Sequence, residues 1–203
     1  MGPLDGVKVL EWGDVVTAPY CGKLLADLGA EVIKIELPGH GDKSRSIGPF
    51  FKDIPGLNRS GLFLYLNTNK LGVTLDPSTE SGREIFLDLI SKTDVVLENQ
   101  PVDYRDSIGL SYDTLRKTNP GVILVSISPF GETGPYRNYQ ATDFIISQMG
   151  GPGYLQPGRE EASVDHPPVR PGGRQGDFST ALAAAGSVMH GLFQRQKTSE
   201  GCH

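Results

Sequence analysis

Residues 7–36 read VKVLEWGDVVTAPYCGKLLADLGAEVIKIE, and this stretch decides the fold class. Val7-Lys8-Val9-Leu10-Glu11-Trp12 has a strand pattern and is followed by a loop from Gly13 to Pro19. Residues 20–28 then carry Leu24, Leu25 and Leu28 at helical spacing, with Gly29 where a helix C-cap belongs. EVIKIE, residues 31–36, reads as a second strand with alternating character. The alternation continues outward. Residues 38–61 form a Gly/Pro/Ser-rich loop too long for a simple connection, which makes it a functional candidate. Further strands are predicted at 72–76, 94–98 and 122–127. Helices are predicted at 81–92, with Ile85, Phe86, Leu89 and Ile90 on one face, and around 112–117. This order, with continuous Val/Ile/Leu strands, predicts a Rossmann-like α/β fold: a mainly parallel sheet with helices on both faces. There is no internal repeat.

The C-terminal region splits in two. Residues 150–176 are rich in Gly, Pro and Arg without a period, and read as an ordered loop or hinge. Beyond them Phe178, Leu182, Ala185, Met189 and Leu192 recur at steps of four and three, the stripe of an amphipathic helix. Asp177 stands just before that stripe. Read alone, it is either an N-cap whose carboxylate accepts first-turn N–H groups or a functional carboxylate.

Composition narrows the function. At about 150 residues per domain, 203 residues make one domain and a fraction. Hydrophobic residues at 37% and charged residues at 21% are the balance of a globular chain that can bury a core unaided. The net charge of −5, with no Lys/Arg run, argues against nucleic-acid partners. Two cysteines, Cys21 and Cys202, cannot form a disulfide framework and point to a reducing compartment. No apolar stretch approaches a membrane span, and the first residues lack a signal-peptide pattern, so a cytoplasmic location is expected.

Standard motifs are missing. A dinucleotide fold needs G-x-G-x-x-G between the first strand and its helix, where this chain has Gly13 to Pro19. Gly39-His40-Gly41 is a weak imitation with Ser44 in place of the third glycine. No P-loop, nucleophile elbow or H-E-x-x-H occurs, and the histidines at 40, 166, 190 and 203 are scattered, so no metal site is expected. Chemistry run by carboxylates remains.

Several segments together resemble the class III CoA-transferase family (CaiB/BaiF type), which includes formyl-CoA transferase, carnitine CoA-transferase and α-methylacyl-CoA racemase. They are residues 3–11 (PLDGVKVLE), Ala18-Pro19-Tyr20, residues 25–36 (LADLGAEVIKIE) and Pro38-Gly39 with Gly41-Asp42 and Arg45. Asn69-Lys70, Leu75-Asp76, Gly82-Arg83, Asp94-Val95-Val96, Glu98-Asn99 and Asn119-Pro120 follow. Residues 126–136 (SISPFGETGPY), Asp143 before Gly150-Gly151, Gly176-Asp177 and residues 198–201 (TSEG) complete the match. The order and spacing of these segments, rather than any one of them, carry the resemblance.

The resemblance implies that Asp177 is the nucleophile. Its carboxylate would attack an acyl-CoA, forming an aspartyl anhydride, and the returning CoA thiolate would form an aspartyl-CoA thioester that an acceptor acid then attacks. A carboxylate at a helix N-terminus suits this role because the helix dipole favours its anion. No metal or cofactor beyond coenzyme A as substrate is implied. Val16, Thr17, Leu75, Asp76 and Asn99 match positions lining the CoA site, Arg45 is a candidate partner for a CoA phosphate, and Ala141, Thr142 and Asp143 would approach the thioester. The implied partners are acyl-CoA, a carboxylic acid acceptor and a second copy or homologous chain in an interlocked dimer.

The sequence also departs from the family pattern. Gln100-Pro101-Val102-Asp103 replaces the usual turn after Asn99, and Leu37 stands where some transferases place a phosphate-binding arginine. Thr142 stands where racemases carry a catalytic histidine, which favours a transferase over a racemase or isomerase. Set against the family, the 203 residues are expected to be the N-terminal CoA-binding and catalytic portion, without the small domain and C-terminal return segment. A non-catalytic CoA-binding subunit is the alternative.

Overall fold

The computed structural model describes residues 2–155, 169 and 171–203. Part of the 150–176 loop, including His166, therefore lies outside the described residues. Five strands, β1 (Lys8–Trp12), β2 (Glu31–Glu36), β3 (Leu71–Thr74), β4 (Val95–Glu98) and β5 (Ile123–Ser126), form one sheet in the order β3-β2-β1-β4-β5. Every pairing is parallel, with Leu10 opposite Ile33 on one side and Val96 on the other. The chain winds outward from β1 to β3, then returns to β1 and winds the other way. The β1/β4 boundary is thus the topological switch point, beside which open parallel sheets bind ligands.

Among the described residues eight α-helices accompany the strands: α1 (Thr17–Asp27), α2 (Gly61–Leu66), α3 (Glu80–Ile90), α4 (Val102–Ser107), α5 (Tyr112–Thr118), α6 (Asp143–Met149), α7 (Pro152–Leu155) and α8 (Gln175–Thr198). One face of the sheet, through Val9, Val32, Val95 and Ile123, packs against Leu25 of α1 and Ala181, Ala184 and Val188 of α8. The other face, through Leu10, Trp12, Ile35 and Leu124, packs against Phe86 and Ile90 of α3 and Leu115 of α5. Apart from the exposed Lys8, the inner strands β1 and β4 are buried on both sides and are apolar except at Glu11 and Glu98, whereas the edge strand β3 is largely exposed. No helix among the described residues is long and apolar enough to cross a membrane.

Some expected boundaries move, each for a local reason. Helix α1 begins at Thr17 and takes Pro19 into its first turn, where the missing N–H costs nothing. Gly29 does follow the helix, at φ +102°, a conformation glycine adopts without strain. Strand β3 ends at Thr74, and Asp76 turns its carboxylate onto the N–H and hydroxyl of Ser78. The long loop is organised around Ser60, whose hydroxyl donates to the carbonyls of Ser44 and Ile47 and accepts the Phe63 N–H that starts α2.

The helical faces need correction. Ile85 is 52% exposed, so α3 buries Gly82, Phe86 and Ile90. On α8 the stripe residues Ala185, Met189 and Leu192 do pack half-buried against the core, but Leu182 is 57% exposed and the fully buried row is Ala181, Ala184, Val188 and Gly191. That row lies one residue N-terminal to the apolar stripe. A Cβ on Gly191 would meet Ile123 Cγ2 at 2.9 Å, so the helix approaches β5 more closely than large side chains permit.

Candidate active site

A cleft of about 900 Å³ opens at the carboxyl ends of β1, β4 and β5. Six segments converge on it: the β1–α1 turn with Val16 and Thr17, the loop after β2 with Lys43, the β4–α4 turn with Asn99, residues 127–129 beyond β5, the start of α6 with Ala141, Thr142 and Asp143, and the start of α8 with Asp177.

The β1–α1 turn is held by side chains from elsewhere. Asn99 Oδ1 accepts the Asp14 N–H at 3.0 Å, and its Nδ2 donates to the Asp14 carbonyl at 2.9 Å and to the Thr17 hydroxyl at 3.0 Å. Gly13 is required here, because a Cβ would meet Ala18 Cβ at 2.4 Å and Asn99 Oδ1 at 2.8 Å. Val16 is buried and forms part of the floor of the cleft, whereas Thr17 is half-buried. Val15 has φ +68°, a left-handed conformation that a β-branched residue adopts only under constraint.

Asp177 is not an N-cap. Arg174 occupies that position, itself left-handed at φ +57°, and Asp177 is the third residue of the 24-residue helix α8. Its N–H donates to Asp143 Oδ1 at 3.2 Å, and its Oδ2 faces Arg174 Nη1 at 3.3 Å. The side chain is 13% exposed, so the carboxylate is screened from bulk water yet borders the cleft. Asp143 is buried at the start of α6 and Thr142 is exposed beside it. Aromatic packing of Tyr20 on Phe178, edge to face at 4.8 Å, ties the first turn of α8 to α1.

The sequence pattern described as CoA-transferase family III matches residues 4–203. The chain belongs to that family. It is 36% identical over its full length to an acetyl-CoA:oxalate CoA-transferase of Acetobacter aceti, covering 50% of that protein. To a succinyl-CoA:glutarate CoA-transferase of Mus musculus it is 38% identical, over 99% of this chain and 44% of the relative. The chain thus spans about half the length of these curated relatives. Among solved structures, a CaiB/BaiF family protein from Brucella suis superimposes with a TM-score of 0.88 at 38% identity, over all of this chain and 52% of the other. A protein from M. tuberculosis superimposes at 0.84 with 30% identity, over 99% and 54%.

Three candidate residues of this family III chain lie away from the cleft. Leu75 is buried in the core under α3, and Asp76 makes the turn described above. Arg45 lines a second cleft of about 450 Å³, which shares Asp14, Lys43 and Gln100 with the first. Its guanidinium meets both oxygens of Glu36, each at 2.7 Å, donates to Leu57 and Asn58, and lies 3.5 Å over the Phe63 ring. Arg45 Nε, Nη1 and Nη2 all have protein partners. The Arg45 hydrogen bonds, with further help from the Asp42 N–H, hold the Glu36 carboxyl below its ordinary pKa.

Two buried charge networks escaped sequence reading. Cross-strand register sets Glu11 opposite Lys34, and Lys34 Nζ bridges Glu11 at 2.9 Å and Asp42 at 2.8 Å while donating to the Gly13 carbonyl at 2.8 Å. Lys70 Nζ reaches the other Glu11 oxygen at 2.7 Å. Burial opposes the Asp42 and Lys34 charges, but their mutual attraction, with Glu11 also acting on Lys34, outweighs it: the Asp42 pKa falls and the Lys34 pKa rises. Burial dominates at Lys70 and pushes it down to about 8. In the second network Arg105 of α4 joins Glu98 at 2.8 Å, Ser126 at 2.8 Å and Glu132 at 2.7 Å, while Glu98 accepts the Gln100 N–H. The available signal was a charge inside an otherwise apolar strand, at Glu11, Lys34 and Glu98.

Proposed function

We propose that this chain is the CoA-binding, nucleophile-bearing portion of an enzyme that transfers coenzyme A between an acyl-CoA thioester and a carboxylic acid. The observation that carries the reading is Asp177 in the first turn of α8, bordering the same cleft as the β1–α1 and β4–α4 turns at the switch point. The helix dipole and the Arg174 guanidinium, 3.3 Å from Oδ2, favour its anion. Attack by the Asp177 carboxylate on the thioester carbonyl forms a C–O bond, breaks the C–S bond and releases CoA thiolate. That thiolate attacks the Asp177 carbonyl of the anhydride, expelling the donor as a carboxylate and leaving an aspartyl-CoA thioester. The acceptor carboxylate attacks this thioester, and the thiolate released then takes the acceptor acyl group from the new anhydride, restoring Asp177. Protons and redox states balance without further reagents.

The linked clefts suit an elongated ligand, with the thioester end beside Asp177 and the nucleotide end toward Arg45. Thr142 offers no second base of the kind a racemase needs. The assembly we propose is a second copy or homologous chain wound about this one in a cytoplasmic dimer, testable by molar mass in solution.

The deciding experiment incubates the native protein carrying these residues with an acyl-CoA and hydroxylamine, then maps peptides by mass. A hydroxamate at Asp177, absent in Asp177→Asn, is expected. CoA binding with Asp177 unmodified supports the non-catalytic subunit instead, and α-carbon deuterium exchange without acyl transfer supports the racemase.

A further inference from the structure

The tripeptide Gly13-Asp14-Val15 separates the two clefts, and Asp14 lines both. Its backbone is held group by group. Lys34 Nζ donates to the Gly13 carbonyl at 2.8 Å, Asn99 takes both polar groups of Asp14, and Asp42 Oδ1 accepts the Val15 N–H at 3.1 Å. The last of these fixes a valine at φ +68°, where an unconstrained valine would relax. Asp42 Oδ1 also accepts the Ser44 N–H at 2.7 Å, so one carboxylate anchors the turn to the loop after β2.

Lys34 and Asp42 are 2% and 1% exposed. Buried ion pairs seldom stabilise a fold better than apolar side chains of the same volume. Their geometry serves another purpose here, because each partner spends a hydrogen bond on the same turn. Glu11 and Lys70 complete the set as two carboxylates and two ammonium groups, which lets charge be buried without an excess of either sign.

We infer that Lys34 and Asp42 are positioning residues for coenzyme A, acting through the Gly13-Asp14-Val15 turn without touching the ligand. The inference rests on the CoA-binding reading proposed above. The pair preorganises the ridge over which an elongated ligand passes, so its loss weakens binding beyond what reduced stability explains.

The test measures the dissociation constant for free coenzyme A by calorimetry and hydrogen exchange at the Val15 amide, using the native protein. Lys34→Met and Asp42→Asn are expected to weaken CoA at least tenfold and to accelerate Val15 exchange, with the fold retained by circular dichroism. Lys34→Arg, which keeps charge and donors, recovers part of the affinity. Ile90→Val, a core change on the opposite face of the sheet, lowers the thermal midpoint but leaves CoA affinity within twofold. Folded Lys34→Met and Asp42→Asn proteins that bind CoA within twofold of the parent overturn the inference. Should those variants not fold, the parent decides: a Val15 amide that exchanges as fast as an open loop also overturns it. A parent that does not bind CoA overturns the functional reading itself, whereas a binding parent with unaffected variants overturns only the positioning role.

Discussion

The backbone N–H of Asp177 donates to Asp143 Oδ1 at 3.2 Å, so the opening turn of α8 is capped by a carboxylate from the opening turn of α6. Helix α8 has no side-chain cap from its own N-cap residue, Arg174. The borrowed cap fixes the candidate nucleophile relative to the segment expected beside the thioester.

Gly176 makes this approach possible, since a Cβ there would meet Asp143 Oδ1 at 2.8 Å and Ser147 Oγ at 3.3 Å. Gly176→Ala is expected to push Asp143 aside at a cost of about 1–3 kcal/mol. Asp143→Ala, which removes the cap together with the rest of a buried carboxylate, is expected to cost at least about 1 kcal/mol. Asp143→Asn keeps an acceptor and stays near the parent. Urea unfolding midpoints rank the three, and hydroxamate formation at Asp177 should fall in the same order.

Gly22 of α1 faces Glu11, where a Cβ would lie 2.0 Å from Oε2. Neither partner can yield cheaply, because that oxygen is paired with Lys70 at 2.7 Å inside the protein. Gly22→Ala is expected to break the pair and cost roughly 3–5 kcal/mol. An unfolding free energy within 1 kcal/mol of the parent, on the order of an exposed helix change, would refute this.

Acid stability follows from Asp42 and Glu36, whose folded pKa values lie below the ordinary 3.8 and 4.5. Each favours the folded state fully above its ordinary value. That contribution fades as pH drops through the ordinary value toward the folded one, because the unfolded chain takes up the proton first. Glu98, which burial pushes up, works in the opposite sense. The thermal midpoint is expected to fall below about pH 4.5, and Asp42→Asn should flatten that slope while lowering the midpoint at neutral pH.

Burial pushes the Cys21 thiol up to about 12, whereas Cys202 is only half-buried. A thiol-specific reagent at pH 8 is expected to label Cys202 in the folded protein and Cys21 only on unfolding. Equal labelling rates in the native state would contradict the packing of α1 on the sheet.

The strands were legible because parallel strands covered on both faces are nearly continuous apolar runs, and VVLE at β4 or ILVS at β5 has few other readings. The face of α8 was legible only in part, through Ala185, Met189 and Leu192. Pattern reading selects large apolar residues such as Leu182, while close packing against α1 and β5 selects Ala181, Ala184 and Gly191 one step earlier. Asp177 stood out only through the order of motifs around it, since its place in the first turn depends on the left-handed Arg174. Lys34 and Asp42 were hidden for a different reason. Their pairing depends on how the loop after β2 folds back under the β1–α1 turn, which no local spacing encodes. Arg45 was visible as a cation, but its partner Glu36 emerges only from that same loop geometry.

The close seating of α8 on β5 makes the helix a stiff lever. Gly191 lies about 21 Å along the axis from Asp177, at 1.5 Å per residue. Between Gly191 and Ile123 no long side chain intervenes to absorb a displacement by changing rotamer. A side chain added at Gly191 therefore shifts the backbone of α8 against β5 instead of a rotamer, and Asp177 rides on that same continuous helix.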